Sequence, residues 1–271
     1  MSAYLEIEKD FQFEAAHYFG HPDANDLFKH IHGHSFYGKV VLRGEDGWTV
    51  IIHYFRSAEK ADSLAAEIKE AGGQAITVQG NLSVTQECDT LIERAAEAAG
   101  SAITALINNA STFENDSADD FSRATFDFHM DANLRAPLIL SQHFADQAEV
   151  GSAIINLIDQ RVLKPNPKFF TYTLSKASLH WATTTMAQAF APKVRVNAIG
   201  PGPTLKNSGQ TEEEFEKEAS ETLLGHGSPP ETLLQAARYL LEARSVTGQF
   251  LAVDSGQHLR WETPDMMIGE D

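Results

Sequence analysis

The sequence predicts an α/β protein built on a doubly wound, Rossmann-like parallel sheet. Two observations lead there. From Trp48 onward, apolar runs of strand length alternate with stretches of helical periodicity, as successive βαβ units do. Several of these runs end in small or amide residues, the chemistry found where the carboxyl edge of such a sheet meets a ligand.

Residues 3–45 read differently from the rest. Tyr4-Leu5-Glu6-Ile7-Glu8 and Phe11-Gln12-Phe13-Glu14 alternate apolar and polar residues, a His-rich connection follows, and Phe36-Tyr37-Gly38-Lys39-Val40-Val41-Leu42 alternates again. This is the pattern of a β-hairpin. Gly44-Glu45-Asp46-Gly47 breaks it and divides the chain into residues 1–46 and 47–271. Beyond the break, strands are expected at 48–54, 75–78, 105–107, 152–158 and 250–253, with helices at 59–71, 85–99, 126–146, 172–190 and 231–243. Arg195-Val196 adds a strand, which Asn197-Ala-Ile-Gly-Pro-Gly-Pro-Thr204 follows as a loop. The acidic stretch 211–221 reads either as a helix covering a cleft or as a plain charged surface helix.

The chain has 271 residues, enough for one large domain or a medium one with a small addition. Its 38 Asp and Glu against 21 Lys and Arg give a formal charge of −17, which opposes nucleic acid and acidic membrane surfaces as partners. One cysteine, Cys88, leaves no internal disulfide and fits a reducing compartment. No signal-like start is visible, and no apolar run approaches the ~18 residues of a membrane span. A soluble, cytoplasmic protein is expected.

Tyr172-Thr-Leu-Ser-Lys176 places a phenol and an ammonium four residues apart, on one helix face. The cation can favour tyrosinate and tune the phenol as a proton donor. Such a pair also arises by chance on exposed helices. Its surroundings add weight: Asn108-Asn109-Ala110-Ser111 ends an apolar strand, Asn133 lies in Asp131-Ala-Asn-Leu-Arg-Ala-Pro137, and Pro201-Gly202-Pro203-Thr204 ends another run.

In this order and spacing, the segments resemble the short-chain dehydrogenase/reductase family over roughly the last four-fifths of the chain. The resemblance implies a doubly wound sheet and a nicotinamide cofactor, with assembly into a dimer or tetramer. Residue by residue, it implies that Tyr172 is the proton donor, that Lys176 holds the nicotinamide ribose, and that Asn133 supports a proton relay. It places Asn109, Ala110, Ser111, Pro201, Gly202 and Thr204 beside the cofactor. Where most members carry serine, this chain has Asp159, which resembles the pteridine-reductase branch. A carboxylate there suits a heteroaromatic ring with polar nitrogens, although a strand-end Asp also caps turns. Phe113 matches that branch's aromatic, which stacks the pterin against the nicotinamide; a core phenylalanine reads the same.

Arg56 and Ser57 end the first strand after the break, where dinucleotide folds select the group on the adenosine ribose. A cation and a hydroxyl favour the 2′-phosphate of NADPH over the free hydroxyls of NAD. Asn81 and Leu82, at the next strand end, stand where the family has Asp-Leu against the adenine. The usual first strand and its glycine-rich turn, which cradles the pyrophosphate, have no counterpart upstream of Trp48.

In their place, Phe11-Gln-Phe-Glu-Ala-Ala-His17 and His32-Gly-His34 resemble the start of a 6-pyruvoyl- or 6-carboxy-tetrahydropterin synthase. That resemblance implies zinc on His17, His32 and His34, although Phe28 stands where the synthases carry their nucleophilic cysteine, and a His-rich hairpin without metal reads the same. The run Val40-Val41-Leu42 suggests residues 36–43 as a substitute for the missing strand. Three functions follow in order: an NADPH-dependent reductase of a dihydropterin, a zinc-dependent synthase-like lyase, and an inactive fusion remnant.

Overall fold

The structure is a computed structural model that describes residues 48–206 and 210–262, together with two short strands, β1 (Phe13–Glu14) and β2 (Ser35–Phe36). These two pair antiparallel, with Phe13 opposite Phe36, in a ladder of their own. Phe36 therefore belongs to no substitute strand of the parallel sheet. His17, His32 and His34, and residues 37–43, lie outside the described residues. No cluster that could hold a metal occurs among the described residues.

Strand β3 (Thr49–Tyr54) leads through helix α1 (Ala58–Glu70) to β4 (Gln74–Gln79), which lies parallel to it. Ala61, Ala65 and Ile68 recur at helical spacing and pack against Ile52 and Ala75 of the strands. The expected helix over 85–99 divides into α2 (Thr85–Asp89) and α3 (Leu91–Ala99). Thr90 stands at the division, its hydroxyl donating back to the Gln86 carbonyl at 2.9 Å, a bond that bends helices.

Strands β5 (Ala105–Asn108), β6 (Ser152–Leu157), β7 (Val194–Pro201) and β8 (Phe250–Val253) form a second parallel ladder in that order. The first five residues of β6 are all buried, as expected of a strand covered on both faces. Strand β7 is longer than expected and contains Asn197, which the sequence placed in a loop. Its amide is satisfied sideways: Nδ2 donates to the Val246 carbonyl at 3.0 Å and Oδ1 accepts the Gln249 N–H at 3.0 Å. A polar residue in an apolar run thus continues the strand.

The helix expected over 126–146 is present as α4 (Arg123–Met130), a π-helical turn (Asp131–Arg135) and α5 (Ala136–Gln147). Pro137 lacks the N–H that would serve the Asn133 carbonyl, and the wider turn falls at that position. Helix α6 (Phe170–Phe190) packs on β7, and α8 (Pro230–Glu242) covers Ile155 and Ile199 from the sheet. Acidic helix α7 (Glu212–Ser220) carries a capping box from Thr211 to Glu214 and buries none of its residues. Among the described residues, no helix is long and apolar enough to cross a membrane.

The β3–β4 and β5–β8 ladders are separate. Between β3 and β5 lies a cavity of about 740 Å³, lined by both strands and by side chains that include Ile68, Ile92, Leu140 and Leu241.

Candidate active site

Strand β6 ends beside the first turns of α6, and this junction assembles the central residues. Asp159 follows the strand, and the turn Gln160–Val162 follows Asp159. Its Oδ1 accepts the Arg161 backbone N–H at 2.8 Å, capping that turn, while Oδ2 accepts the Tyr172 hydroxyl at 2.9 Å. The turn-capping reading of Asp159 is realised through Oδ1, while Oδ2 is engaged by the tyrosine.

Tyr172 and Lys176 occupy successive turns of α6 and are buried. Lys176 Nζ donates to the Leu157 carbonyl at 2.9 Å and lies 5.8 Å from the centre of the Tyr172 ring. Burial pushes the Lys176 pKa down to about 8, against the pull of the Asp159 carboxylate. Burial and then the Asp159 charge hold the Tyr172 phenol well above its usual range. The cation that offsets this rise is Arg161. Sequence spacing assigned the tuning of the phenol to Lys176; the geometry gives Arg161 a share, because its guanidinium reaches the carboxylate that holds the phenol.

Two residues of this site were not anticipated. Arg161 Nη1 lies 2.9 Å from Asp159 Oδ2, and its guanidinium carbon is 5.6 Å from the Phe113 ring centre and 5.3 Å from that of Phe169. Phe169 stacks on Phe113 at 4.3 Å between centroids, with 14° between planes. Phe113 also meets Tyr172 edge-on at 4.7 Å. Phe169 has a φ of 55°, a left-handed backbone that a non-glycine residue adopts at a cost of roughly 1–3 kcal/mol. An Arg two residues beyond the strand-end Asp was the available signal for Arg161. Phe169 gave none, since its role depends on that backbone.

The start of α6 is anchored from below. Glu114 N–H donates to His129 Nε2 at 3.0 Å, so the ring proton sits on Nδ1, which donates to Thr171 Oγ1 at 2.7 Å; Thr171 in turn donates to Asp116. Asn133, fully buried in the π-helical turn, accepts from Thr112 N–H at 2.7 Å and Ser111 Oγ at 3.0 Å, and donates to Ser175 Oγ at 3.2 Å. It ties the turn after β5 to the helix bearing Tyr172 and Lys176.

The expected cofactor residues fall at strand ends. Asn109, Ala110 and Ser111 follow β5 and border the cavity. Arg56 is exposed after β3, its guanidinium 4.8 Å over the Phe55 ring, and Ser57 precedes α1 without making a side-chain cap. The helix N-terminus, a free hydroxyl and a cation there suit an anion. Asn81 Oδ1 accepts the Ser83 N–H at 3.0 Å, and Leu82 is buried. Thr204 Oγ1 donates to the Gly202 carbonyl at 3.1 Å. A Cβ on Gly202 would stand 2.6 Å from the Asp254 backbone, so that approach requires glycine. Asp159, Tyr172 and Lys176 are not among the residues lining the 740 Å³ cavity.

Residues 42–258 match the family described as enoyl-(acyl carrier protein) reductase. The fold is similar to that of FolM alternative dihydrofolate reductase 1 from Brucella suis in complex with NADP, with a TM-score of 0.76 and 41% identity over 80% of this chain and 88% of that one. The chain is 32% identical to 3beta-hydroxysteroid dehydrogenase 1 of Eggerthella lenta over 80% of its own length and 86% of the relative's. It is 35% identical to dihydromonapterin reductase of Citrobacter koseri over 40% of its length and 45% of that protein.

Proposed function

Because the chain belongs to the short-chain dehydrogenase/reductase family, we propose that it is an NADPH-dependent oxidoreductase that reduces a C=N bond of a dihydropterin-type substrate. The observation that carries this reading is the Asp159 carboxylate bonded to the Tyr172 hydroxyl at 2.9 Å, beside the rings of Phe113 and Phe169. A phenol, a carboxylate and aromatic faces suit a flat ring with polar nitrogens. The NADP complex of the 41% identical Brucella protein and the dihydromonapterin reductase relative support it.

NADPH, when bound, supplies the hydride. Arg56 and Ser57 would hold its 2′-phosphate, with Asn81 and Leu82 beside the adenine. Asn109, Ala110, Ser111, Pro201, Gly202, Thr204 and Lys176 would hold its nicotinamide half. Tyr172 donates a proton to the substrate nitrogen, and the Lys176 ammonium near its ring offsets the charge left on the oxygen. Asp159 receives from the substrate's ring N–H and keeps the phenol oriented. Asn133 keeps the β5 turn and α6 in register.

NADPH oxidation with 7,8-dihydrobiopterin tests the reading directly: turnover followed at 340 nm is expected, and its complete absence together with no NADPH binding sinks it. Arg56→Glu is expected to raise the KM for NADPH roughly tenfold or more while leaving that for NADH within threefold, since only NADPH carries the phosphate.

We read residues 47–271 as a reductase domain without the usual first strand and glycine-rich turn. The separation of the two ladders, with an apolar cavity between β3 and β5, supports this. A weak hold on the pyrophosphate follows, so the KM for NADPH belongs at the high end of the usual range. Self-association is also proposed. Leu174 and Trp181, seven residues apart on α6, stand exposed on one helix face. Trp181→Glu should reduce the sedimenting mass to that of one chain; an unchanged mass refutes this interface.

A further inference from the structure

We infer that Arg161 is a specificity-determining residue that, with Asp159, reads a lactam edge, the adjacent N–H and C=O of a flat heterocycle. The inference rests on the pterin reading and goes beyond it by naming the ring edge that is recognised.

The geometry is that of a paired acceptor and donor. Asp159 is fixed by three bonds, from the Arg161 N–H at 2.8 Å, the Arg161 Nη1 at 2.9 Å and the Tyr172 hydroxyl at 2.9 Å. Oδ1 carries only one of these and retains accepting capacity. Arg161 spends one Nη1–H on the carboxylate, and no hydrogen bond from its Nε or Nη2 occurs among the described residues. Its side chain is 22% exposed, so those donors are reachable from solvent. A ring N–H facing Asp159 and an adjacent ring carbonyl facing Arg161 satisfy both residues at once.

The rings beside the pair hold Arg161 in place. The guanidinium lies 5.6 Å from the Phe113 ring centre and 5.3 Å from that of Phe169, beside the stacked pair. Those contacts, with the bond to Asp159, limit the freedom of a side chain that would otherwise lose much entropy on binding. Neighbouring negative charge, chiefly that of Asp159, outweighs burial and keeps the guanidinium fully charged. A lysine at this position would carry the charge without the planar fork.

A pair of pteridines that differ at this edge tests it. Biopterin carries a 4-oxo group next to a ring N–H; its 2,4-diamino analogue, with the same side chain at C6, carries an amino group there and lacks the carbonyl. Binding of each to the NADP+-loaded protein is followed by quenching of the pteridine's own fluorescence, which needs no turnover. Wild-type protein is expected to favour biopterin by roughly tenfold, the loss that follows from leaving a charged donor without its acceptor. Arg161→Gln should bring the two within about twofold, mainly by weakening biopterin. Arg161→Lys, which keeps a donor and a charge, should retain a preference of about threefold and confirms that the site still folds.

Discrimination by Arg161→Gln equal to that of the wild type, or equal weakening of both ligands, overturns the inference while leaving the pterin reading intact. Wild-type protein that binds neither pteridine overturns the pterin reading and this inference with it.

Discussion

Tyr172→Phe is expected to lower kcat/KM for dihydropterin reduction by about a thousandfold while shifting the melting temperature by only a few degrees. The size follows from general acid catalysis, in which a positioned proton donor contributes roughly 10²–10⁴ in rate. The phenol donates to Asp159 at 2.9 Å and lies against Phe113 and His129, so its oxygen is held in one place, from which the proton must turn from Asp159 to the substrate nitrogen. Phenylalanine keeps the ring and its edge contacts. What it loses is one buried hydrogen bond to a carboxylate, worth about 1–3 kcal/mol, and Asp159 retains both bonds from Arg161. NADPH binding should change by less than threefold, since the hydroxyl is not where the phosphates are held. A variant that still turns over within tenfold of the wild type removes Tyr172 as the proton donor.

The sequence made some of this arrangement legible because the relevant spacings are local. Tyr172 and Lys176 at i and i+4 must share a helix face, and Asp159 ends the buried run Ile154-Ile155-Asn156-Leu157-Ile158, so strand, turn and helix meet at one edge. What was not legible depends on tertiary partners. Arg161 reads as a surface arginine until the turn folds it back over Asp159 and two rings. Asn197 looked like the start of a loop because the bonds that bury it come from Val246 and Gln249, some fifty residues away. The π-helical turn at Asn133 was implicit in Pro137, yet a proline after a helical stretch as readily ends a helix as widens it.

The second large effect concerns Lys176 and pH. Its ammonium is buried and titrates near 8, whereas Tyr172 is held well above its usual range and stays protonated through the same interval. The alkaline limb of kcat/KM should therefore belong to Lys176: a plateau below pH about 7, a midpoint near 8, and about a tenth of the plateau remaining one unit higher. Lys176→Met removes the charge at every pH, so a loss of about a thousandfold at pH 7 with no alkaline limb near 8 is expected. Lys176→Arg, permanently charged, should also lack that limb while retaining more of the rate. Stability should move the other way. The folded-state pKa of Lys176 lies below its unfolded value of 10.5, so between about 8 and 10.5 the unfolded chain binds more protons and this residue's contribution to stability rises with pH. Below about 8, the full cost of burying the ammonium is present. Urea unfolding of the wild type and Lys176→Met at pH 7 and pH 9 isolates that contribution: the difference between the two proteins should shift towards the wild type at the higher pH. Activity that falls while this contribution rises assigns the alkaline loss to deprotonation of Lys176; a wild-type profile flat to pH 10 refutes it.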